Sequence, residues 1–118
     1  MQCNKRFRDV GFETHVLYET PDLYDTLLPV PAHQLTFYET LAERQHGAVL
    51  ALACGSGQLI VPIASLGHPA TGLDVSRAML AAARRRAVAA GAPVEFVEAD
   101  MRDFDLGRRF SQIFLARN

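Results

Sequence analysis

Two short segments of this chain combine residue types that could hold a ligand containing a nucleoside. An apolar run over residues 48–57 contains two glycines at its end, Gly55 and Gly57. Such a run predicts a buried parallel strand followed by a tight loop, because glycine lets the backbone turn sharply and approach a ligand closely. Asp74 lies at the end of a second apolar strand, over residues 71–75, where a carboxylate can accept hydrogen bonds from both hydroxyls of a ribose. The two segments together predict a site for a nucleoside cofactor.

A second carboxylate strengthens this interpretation. Asp100 follows directly after a predicted strand over residues 94–99. In a doubly wound sheet, ligands bind beyond the carboxyl ends of the strands. Gly55, Asp74 and Asp100 are therefore expected to lie along one edge of one sheet.

Two other kinds of site fit the same loop less well. A dinucleotide-binding fingerprint needs a third glycine, and Ile60 occupies that position, which disfavours NAD. The nucleophile elbow of hydrolases needs glycine two residues before and after its serine, whereas Cys54 and Gln58 flank Ser56 at those places. Neither a nicotinamide enzyme nor a serine hydrolase is indicated.

Metal and nucleic-acid sites are also disfavoured. The histidines are scattered without zinc-ligand spacing, and the acidic residues after position 99 lack the spacing of a calcium loop. Arg84, Arg85 and Arg86 are consecutive, so on a helix they spread over about 200° of its surface, which predicts a solvated face. We therefore expect no metal and no nucleic-acid partner.

The elements that must position these residues alternate between strand and helix after residue 47. The pattern predicts strands over residues 48–53, 71–75, 94–99 and 110–116, with helices over residues 58–66 and 77–90. Ser76 is expected to cap the second of these helices, which Gly91 closes. Right-handed crossovers then favour an α/β fold with a doubly wound parallel sheet in the strand order 3-2-1-4.

Composition sets further bounds. The 118 residues fit one domain, and 12 basic against 13 acidic residues give a net charge of −1, without an overall attraction to nucleic acid or anionic membranes. Cys3 and Cys54 form a poor disulfide pair, which fits a reducing compartment, and the first residues lack the apolar core of a signal peptide. We expect a cytoplasmic protein with a small-molecule partner and no membrane segment.

Four ordered blocks resemble the class I S-adenosylmethionine-dependent methyltransferases. VLALACGSGQL at 49–59 is similar to motif I of that family, and GLDVS at 72–76 with Met79 and Leu80 is similar to the next block. VEFVEADMRDF at 94–104 and FSQIFLARN at 110–118 resemble the third and fourth. The resemblance covers about residues 34–118 and implies a Rossmann-like fold, S-adenosylmethionine as cofactor and methyl transfer.

The resemblance also implies roles for individual residues, although it implies no catalytic residue. Asp74 would hold the ribose, Asp100 together with the backbone of Met101 would read the adenine, and Asn118 would lie near the methyl group. The full set of implied cofactor-binding residues is Ala53, Gly55, Gly57, Asp74, Val75, Asp100, Met101 and Asn118. The first three of these would line the methionine portion.

This chain departs from the family pattern in two respects. Ala51 stands where the family usually has an acidic residue that helps to orient the methionine amino group. The family's sheet has seven strands, and this sequence reaches the fourth, so we expect the N-terminal half of the fold only. The acceptor of the methyl group stays open.

The expected organisation has three parts: a loose arm over residues 1–20, lid or packing helices over residues 21–46, and the cofactor-binding domain over residues 47–118. An alternative function is that of a noncatalytic binding or assembly fragment. In that case the apolar last strand would offer an exposed edge through which the chain forms a homo-oligomer.

Overall fold

The computed structural model describes residues 19–115 of the chain. The elements within this range are, in chain order, α1 (Pro21–Leu27), α2 (Ala32–Gln45), β1 (Val49–Leu52), α3 (Ile60–Ser65), β2 (Ala70–Asp74), α4 (Arg77–Ala90), β3 (Val94–Glu98) and β4 (Gln112–Phe114). The predicted alternation of strands and helices is confirmed. The fourth strand is shorter than the expected residues 110–116, and the expected loose arm lies almost wholly outside the described residues.

The four strands form one parallel sheet in the order β3-β2-β1-β4, as predicted from right-handed crossovers. In the register, Ala51 lies opposite Gly72 on one side and Phe114 on the other. Gly72 is packed so closely that a Cβ atom there would lie 2.8 Å from the Cys54 Sγ atom. Strand β2 and the loop after β1 can therefore approach each other only because this residue is glycine.

The core lies between one face of the sheet and helices α2, α3 and α4. Alternate strand residues point to this face because successive side chains on a strand alternate. Val49, Ala51 and Phe114 are buried there together with Ile60 and Ile63 of α3. The Tyr38 ring of α2 packs on the Phe114 ring with their centroids 4.8 Å apart. This packing fixes the β1 strand, and with it the loop that follows.

Helix α4 begins and ends where the sequence predicts. The Ser76 hydroxyl accepts a hydrogen bond from the Met79 N–H at 3.1 Å, and Gly91 adopts the left-handed conformation with φ of 65°. Met79 and Leu80 are buried, while Arg84 and Arg85 are exposed. The cap places the start of α4 directly beside the end of β2.

The two outer strands differ in character. Strand β3 carries Glu95 and Glu98 on an outer edge, as expected, and Arg108 and Arg77 form ion pairs with these two carboxylates. The almost wholly apolar sequence of β4 predicts a strand that is covered on both faces, but Ile113 is 55% exposed. The prediction is wrong for this residue, because its side chain keeps more than half of its surface in contact with solvent.

Candidate functional site

The loop after β1 has a strained and open backbone. Ala53 and Gly55 have φ angles of 53° and 59°, in the left-handed region that favours glycine. A Cβ atom on Gly55 would meet nothing within 4 Å. One on Gly57 would lie 3.1 Å from the Val61 Cγ2 atom and 3.2 Å from the Ala83 Cβ atom. Gly55 therefore faces space that a ligand could use, whereas Gly57 allows the loop to pack on α3 and α4.

Asp74 connects this loop to the end of β2. Its Oδ2 atom accepts a hydrogen bond from the Gly55 N–H at 2.8 Å, and its Oδ1 atom accepts one from the Ser76 N–H at 2.9 Å. A carboxylate offers about four acceptor positions. Asp74 thus fixes two backbone segments and keeps acceptor capacity on both oxygens.

A cavity of about 210 Å³ opens beside Asp74 at the carboxyl ends of β1, β2 and β3. Its walls include five of the residues predicted from the sequence: Ala53, Asp74, Val75, Asp100 and Met101. Val75 is 63% exposed and Met101 is 39% exposed, so two apolar side chains face this open space. A flat apolar group with hydroxyls near Asp74 suits this combination. We name this cavity the outer cavity.

A second, narrower cavity of about 40 Å³ lies between the loop and the segment that contains α1. Gly55 and the backbone around Cys54 form one wall, and Tyr24 and Val30 form the other. Ala53 lines both cavities, so they meet at this residue. We name this one the inner cavity. An elongated ligand that bends at Ala53 could occupy both.

Asp100 is already engaged by a neighbouring side chain. The Arg102 Nη2 atom lies 2.6 Å from its Oδ2 atom, and the Arg102 N–H and Nε groups also donate to this carboxylate. These hydrogen bonds from Arg102 hold the pKa of Asp100 at about 2, below its ordinary value of 3.8. Asp100 is therefore charged at neutral pH, and a ligand amino group would share it with Arg102.

Cys54 has no sign of a reactive thiol. Burial raises the pKa of the Cys54 thiol, and the negative charge of Asp74 raises it further. The thiol contacts the Gly55 carbonyl oxygen at 3.6 Å. This environment fits a small packed residue and not a nucleophile.

The sequence interpretation missed a polar network at the inner cavity. The Asp25 carboxylate accepts hydrogen bonds from the Ser56 hydroxyl, from the Gln58 amide and from Arg86. Arg86 also donates to the Ser56 carbonyl oxygen at 3.0 Å. The expectation that the arginine run is solvated is therefore wrong for Arg86. No local signal marks the pair, because Asp25 and Arg86 are 61 positions apart.

One further predicted residue, Gly57, lines neither cavity. Gly57 is buried against α3 and α4, as described above. Asn118 lies outside the described residues. Within residues 19–115 no group of three or more histidine, cysteine, aspartate or glutamate side chains could hold a metal ion. No helix in that range combines the length and apolar character needed to cross a lipid bilayer.

A parallel sheet in this order, with cavities at the carboxyl ends of its strands, is a Rossmann-like α/β domain. Residues 49–118 match the sequence profile of the family described as "Methyltransferase domain". The chain belongs to this methyltransferase family.

Curated relatives and solved structures agree with this assignment. YqeM of Bacillus subtilis, named as a methyltransferase, is 34% identical over 82 residues, which are 69% of this chain and 33% of YqeM. The dTDP-3-amino-3,6-dideoxy-alpha-D-glucopyranose N,N-dimethyltransferase of Streptomyces fradiae is 42% identical over 66 residues, 56% of this chain and 24% of that protein. The glycopeptide N-methyltransferase MtfA, in its crystal structure complexed with sinefungin, has 35% sequence identity to this chain and a TM-score of 0.58. The match covers 69% of this chain and 35% of MtfA. The chain therefore spans about a third or less of the length of these proteins.

Proposed function

We propose that this chain binds S-adenosylmethionine and forms the cofactor-binding part of a methyltransferase that acts on a small-molecule acceptor. The observation that carries the proposal is the pair of cavities that meet at Ala53, with Asp74 beside the outer one. S-adenosylmethionine has an adenosine part and an amino-acid part that diverge from its sulfur atom. The outer cavity would take the first and the inner cavity the second.

The outer cavity suits an adenosine. Asp74 has acceptor capacity for ribose hydroxyls on oxygens that are already oriented by the Gly55 and Ser76 amides. Val75 and Met101 would pack against the faces of the adenine, since both expose apolar surface there. Asp100 and the Met101 backbone would read the edge of the base.

The inner cavity suits the amino-acid end. The loop from Ala53 to Gly55 brings backbone polar groups close to the cavity without side chains that would fill it. Ala51 is only 3% exposed and lies in the apolar core, so it provides no carboxylate for the ligand's ammonium group. Carbonyl oxygens of the loop would have to accept hydrogen bonds from that group.

The chemistry makes modest demands on the protein. When bound, S-adenosylmethionine supplies a methyl group on a positively charged sulfur, which is already electrophilic. The residues of this chain would bind the donor, orient it and exclude water, so that an acceptor held in line can attack. The acceptor residues and any general base stay unassigned.

A small-molecule acceptor is supported by the relatives. The Streptomyces fradiae protein is named for an amino-sugar substrate, and MtfA is named for a glycopeptide. The net charge of −1 gives no general attraction to RNA. An amine-bearing small molecule is therefore the first acceptor class to test.

The test has a binding arm and a transfer arm. Calorimetric titration should show binding of S-adenosylmethionine and of its demethylated product, with no binding of NAD at the same concentrations. Radiolabelled methyl donor should then be offered with a panel of amino sugars, small peptides and RNA. Absence of binding by both donor and product would refute the cofactor site, and labelling of RNA alone would refute the acceptor class.

Self-association is a second candidate, favoured by β4. Among the described residues this strand pairs with β1 on one side only, and Ile113 and Leu115 are 55% and 39% exposed. The Gln112 Oε1 atom is buried, and no residue in the described range donates a hydrogen bond to it. We infer that a second copy could pair along this edge.

Light scattering should show dimers that Ile113→Lys abolishes, whereas Val88→Lys, at a site 82% exposed on α4, should leave them intact. A monomeric mass for the unmodified chain at high concentration would contradict this candidate.

A further inference from the structure

Helix α1 covers the inner cavity but is attached to the rest of the protein mainly by polar contacts. It contains no buried residue, and its apolar side chains Leu23 and Leu27 are 47% and 60% exposed. Apolar burial, which holds most helices in place, contributes little here. Among residues 19–115, the contacts of α1 with the rest of the fold include hydrogen bonds and the Asp25–Arg86 ion pair.

Asp25 is the centre of that attachment. Its Oδ1 atom accepts hydrogen bonds from the Ser56 Oγ atom at 2.5 Å and the Gln58 Nε2 atom at 2.9 Å. Its Oδ2 atom is 2.7 Å from the Arg86 Nη2 atom. The Asp25 side chain is only 23% exposed, so these charge-assisted bonds are partly shielded from water.

The same network fixes the glycine loop. Arg86 donates from Nε to the Ser56 carbonyl oxygen, while the Ser56 hydroxyl donates to Asp25. The single residue between Gly55 and Gly57 is therefore held through both its backbone and its side chain. A loop with left-handed residues on both sides is otherwise free to change conformation.

Gln58 joins the opposite wall of the inner cavity to this network. Its Oε1 atom accepts a hydrogen bond from the Val30 N–H at 2.9 Å, and its Nε2 atom donates to the Leu28 carbonyl oxygen at 3.3 Å. Both walls of the inner cavity thus depend on one set of side chains. By contrast, the outer cavity is lined by none of Asp25, Ser56, Gln58 and Arg86.

We propose that Asp25 and Arg86 are positioning residues, forming a latch that closes α1 and the glycine loop over the amino-acid end of the cofactor and leaves adenosine binding unaffected. The proposal rests on the proposed function for the identity of the ligand. The inner cavity measures only about 40 Å³, so its walls have to keep their positions for their polar groups to reach that end of the ligand. The latch then strengthens binding by ordering the loop in advance.

The experiment measures the affinity for two ligands and, in the ligand-free chain, the rate of hydrogen exchange in α1. Asp25→Asn keeps the size of the side chain but removes its charge and presents an amide to Arg86. We expect the affinity for S-adenosylhomocysteine to fall about tenfold and its dissociation to accelerate. The affinity for 5′-methylthioadenosine, which lacks the amino-acid end, should change by less than about twofold. In the ligand-free chain, hydrogen exchange of the α1 amides should become faster.

Matched variants separate the latch from general stability. Arg86→Lys keeps the charge but loses the planar fork that joins Asp25 to Ser56, so it should reproduce the selective loss. Asp22→Asn on α1 and Arg85→Lys on α4 alter exposed neighbours and should leave both affinities unchanged. Equal loss of affinity for the two ligands, tighter binding of S-adenosylhomocysteine, or unchanged exchange in α1 would overturn the proposal. If the unmodified chain bound neither ligand, the cofactor site would be refuted, and the exchange measurement would still decide whether the latch exists.

Discussion

Replacing Asp74 with alanine removes the carboxylate that joins the glycine loop to the start of α4. Two hydrogen bonds are lost directly, those from the Gly55 and Ser76 amides at 2.8 and 2.9 Å. In the proposed site, the bonds to the ribose hydroxyls are lost as well. Asp74→Ala should therefore lower both the free energy of unfolding and the affinity for the cofactor.

The two effects are similar in free energy, although one is measured as a change in Kd and the other as a change in stability. A hydrogen bond to a charged group contributes about 1.5 to 3 kcal/mol, and each 1.4 kcal/mol corresponds to a tenfold change in affinity. Loss of one such bond to the ribose predicts a roughly 10- to 100-fold weaker Kd. The fold should lose about 2 kcal/mol, because water can reach the freed amides in part, and a small domain typically has 5 to 15 kcal/mol of stability. The variant should therefore stay folded at room temperature.

Calorimetric titration with S-adenosylhomocysteine measures the affinity, and urea unfolding measures the stability. Asp105→Ala is the matched control, because the Asp105 carboxylate also accepts a bond from a backbone amide, that of Gly107 at 2.9 Å, but lines neither cavity. It should lose some stability and keep its Kd. A Kd for Asp74→Ala within about twofold of the unmodified chain would refute the assigned role of this carboxylate.

Three further variants or measurements test the geometry of the site. Gly57→Ala should lower the midpoint of thermal unfolding, since the φ of 83° is unfavourable for alanine by about 1 to 2 kcal/mol and the new Cβ would crowd α3 and α4. Arg102→Ala should raise the pKa of Asp100 from about 2 toward 3.8 in an NMR titration, because the hydrogen bonds that stabilise the charged form are lost. Cys54 should resist iodoacetamide at pH 8 in the folded chain and react after unfolding, because burial raises the pKa of its thiol.

Each of these three has a result that would contradict it. Gly107→Ala, at a φ of 67° with open space around it, should cost less than Gly57→Ala, and an equal cost would argue against crowding. The ion pair between Asp100 and Arg102 should contribute its full stabilisation above about pH 4 and lose it as the pH falls toward 2. The reason is that the pKa of the Asp100 carboxyl is lower in the folded chain than in the unfolded chain. An unchanged Asp100 pKa in Arg102→Ala, or rapid labelling of Cys54 in the native state, would show that the local environments differ from those described.

Local signals were sufficient to predict the framework of this fold. The apolar run before Gly55, the cap at Ser76 and the left-handed Gly91 act over a few residues, and each lies where the sequence placed it. The strand order followed from the handedness of parallel crossovers. These features depend on short-range sterics and hydrogen bonding, which a sequence displays directly.

The residues that complete the two cavities depended on longer distances. Arg86 was expected in solvent, but it contacts Asp25 because α1 lies beside α4 in the folded chain. Gly57 packs against Ala83 of α4 instead of lining a cavity. The sequence around Arg86 and Gly57 gives no indication of these contacts, whereas the pairing of Asp100 with Arg102 is local.

The sequence by itself determined the order of elements, the parallel sheet and the edge at which Gly55, Asp74 and Asp100 meet. Only the tertiary structure decided that the site has an inner and an outer cavity and that α1 closes the inner one through Asp25. The physical reason is the distance along the chain over which the interactions act. Capping and strand alternation are local, whereas a hydrogen bond between side chains 61 positions apart exists only after the sheet has brought α1, the glycine loop and α4 together.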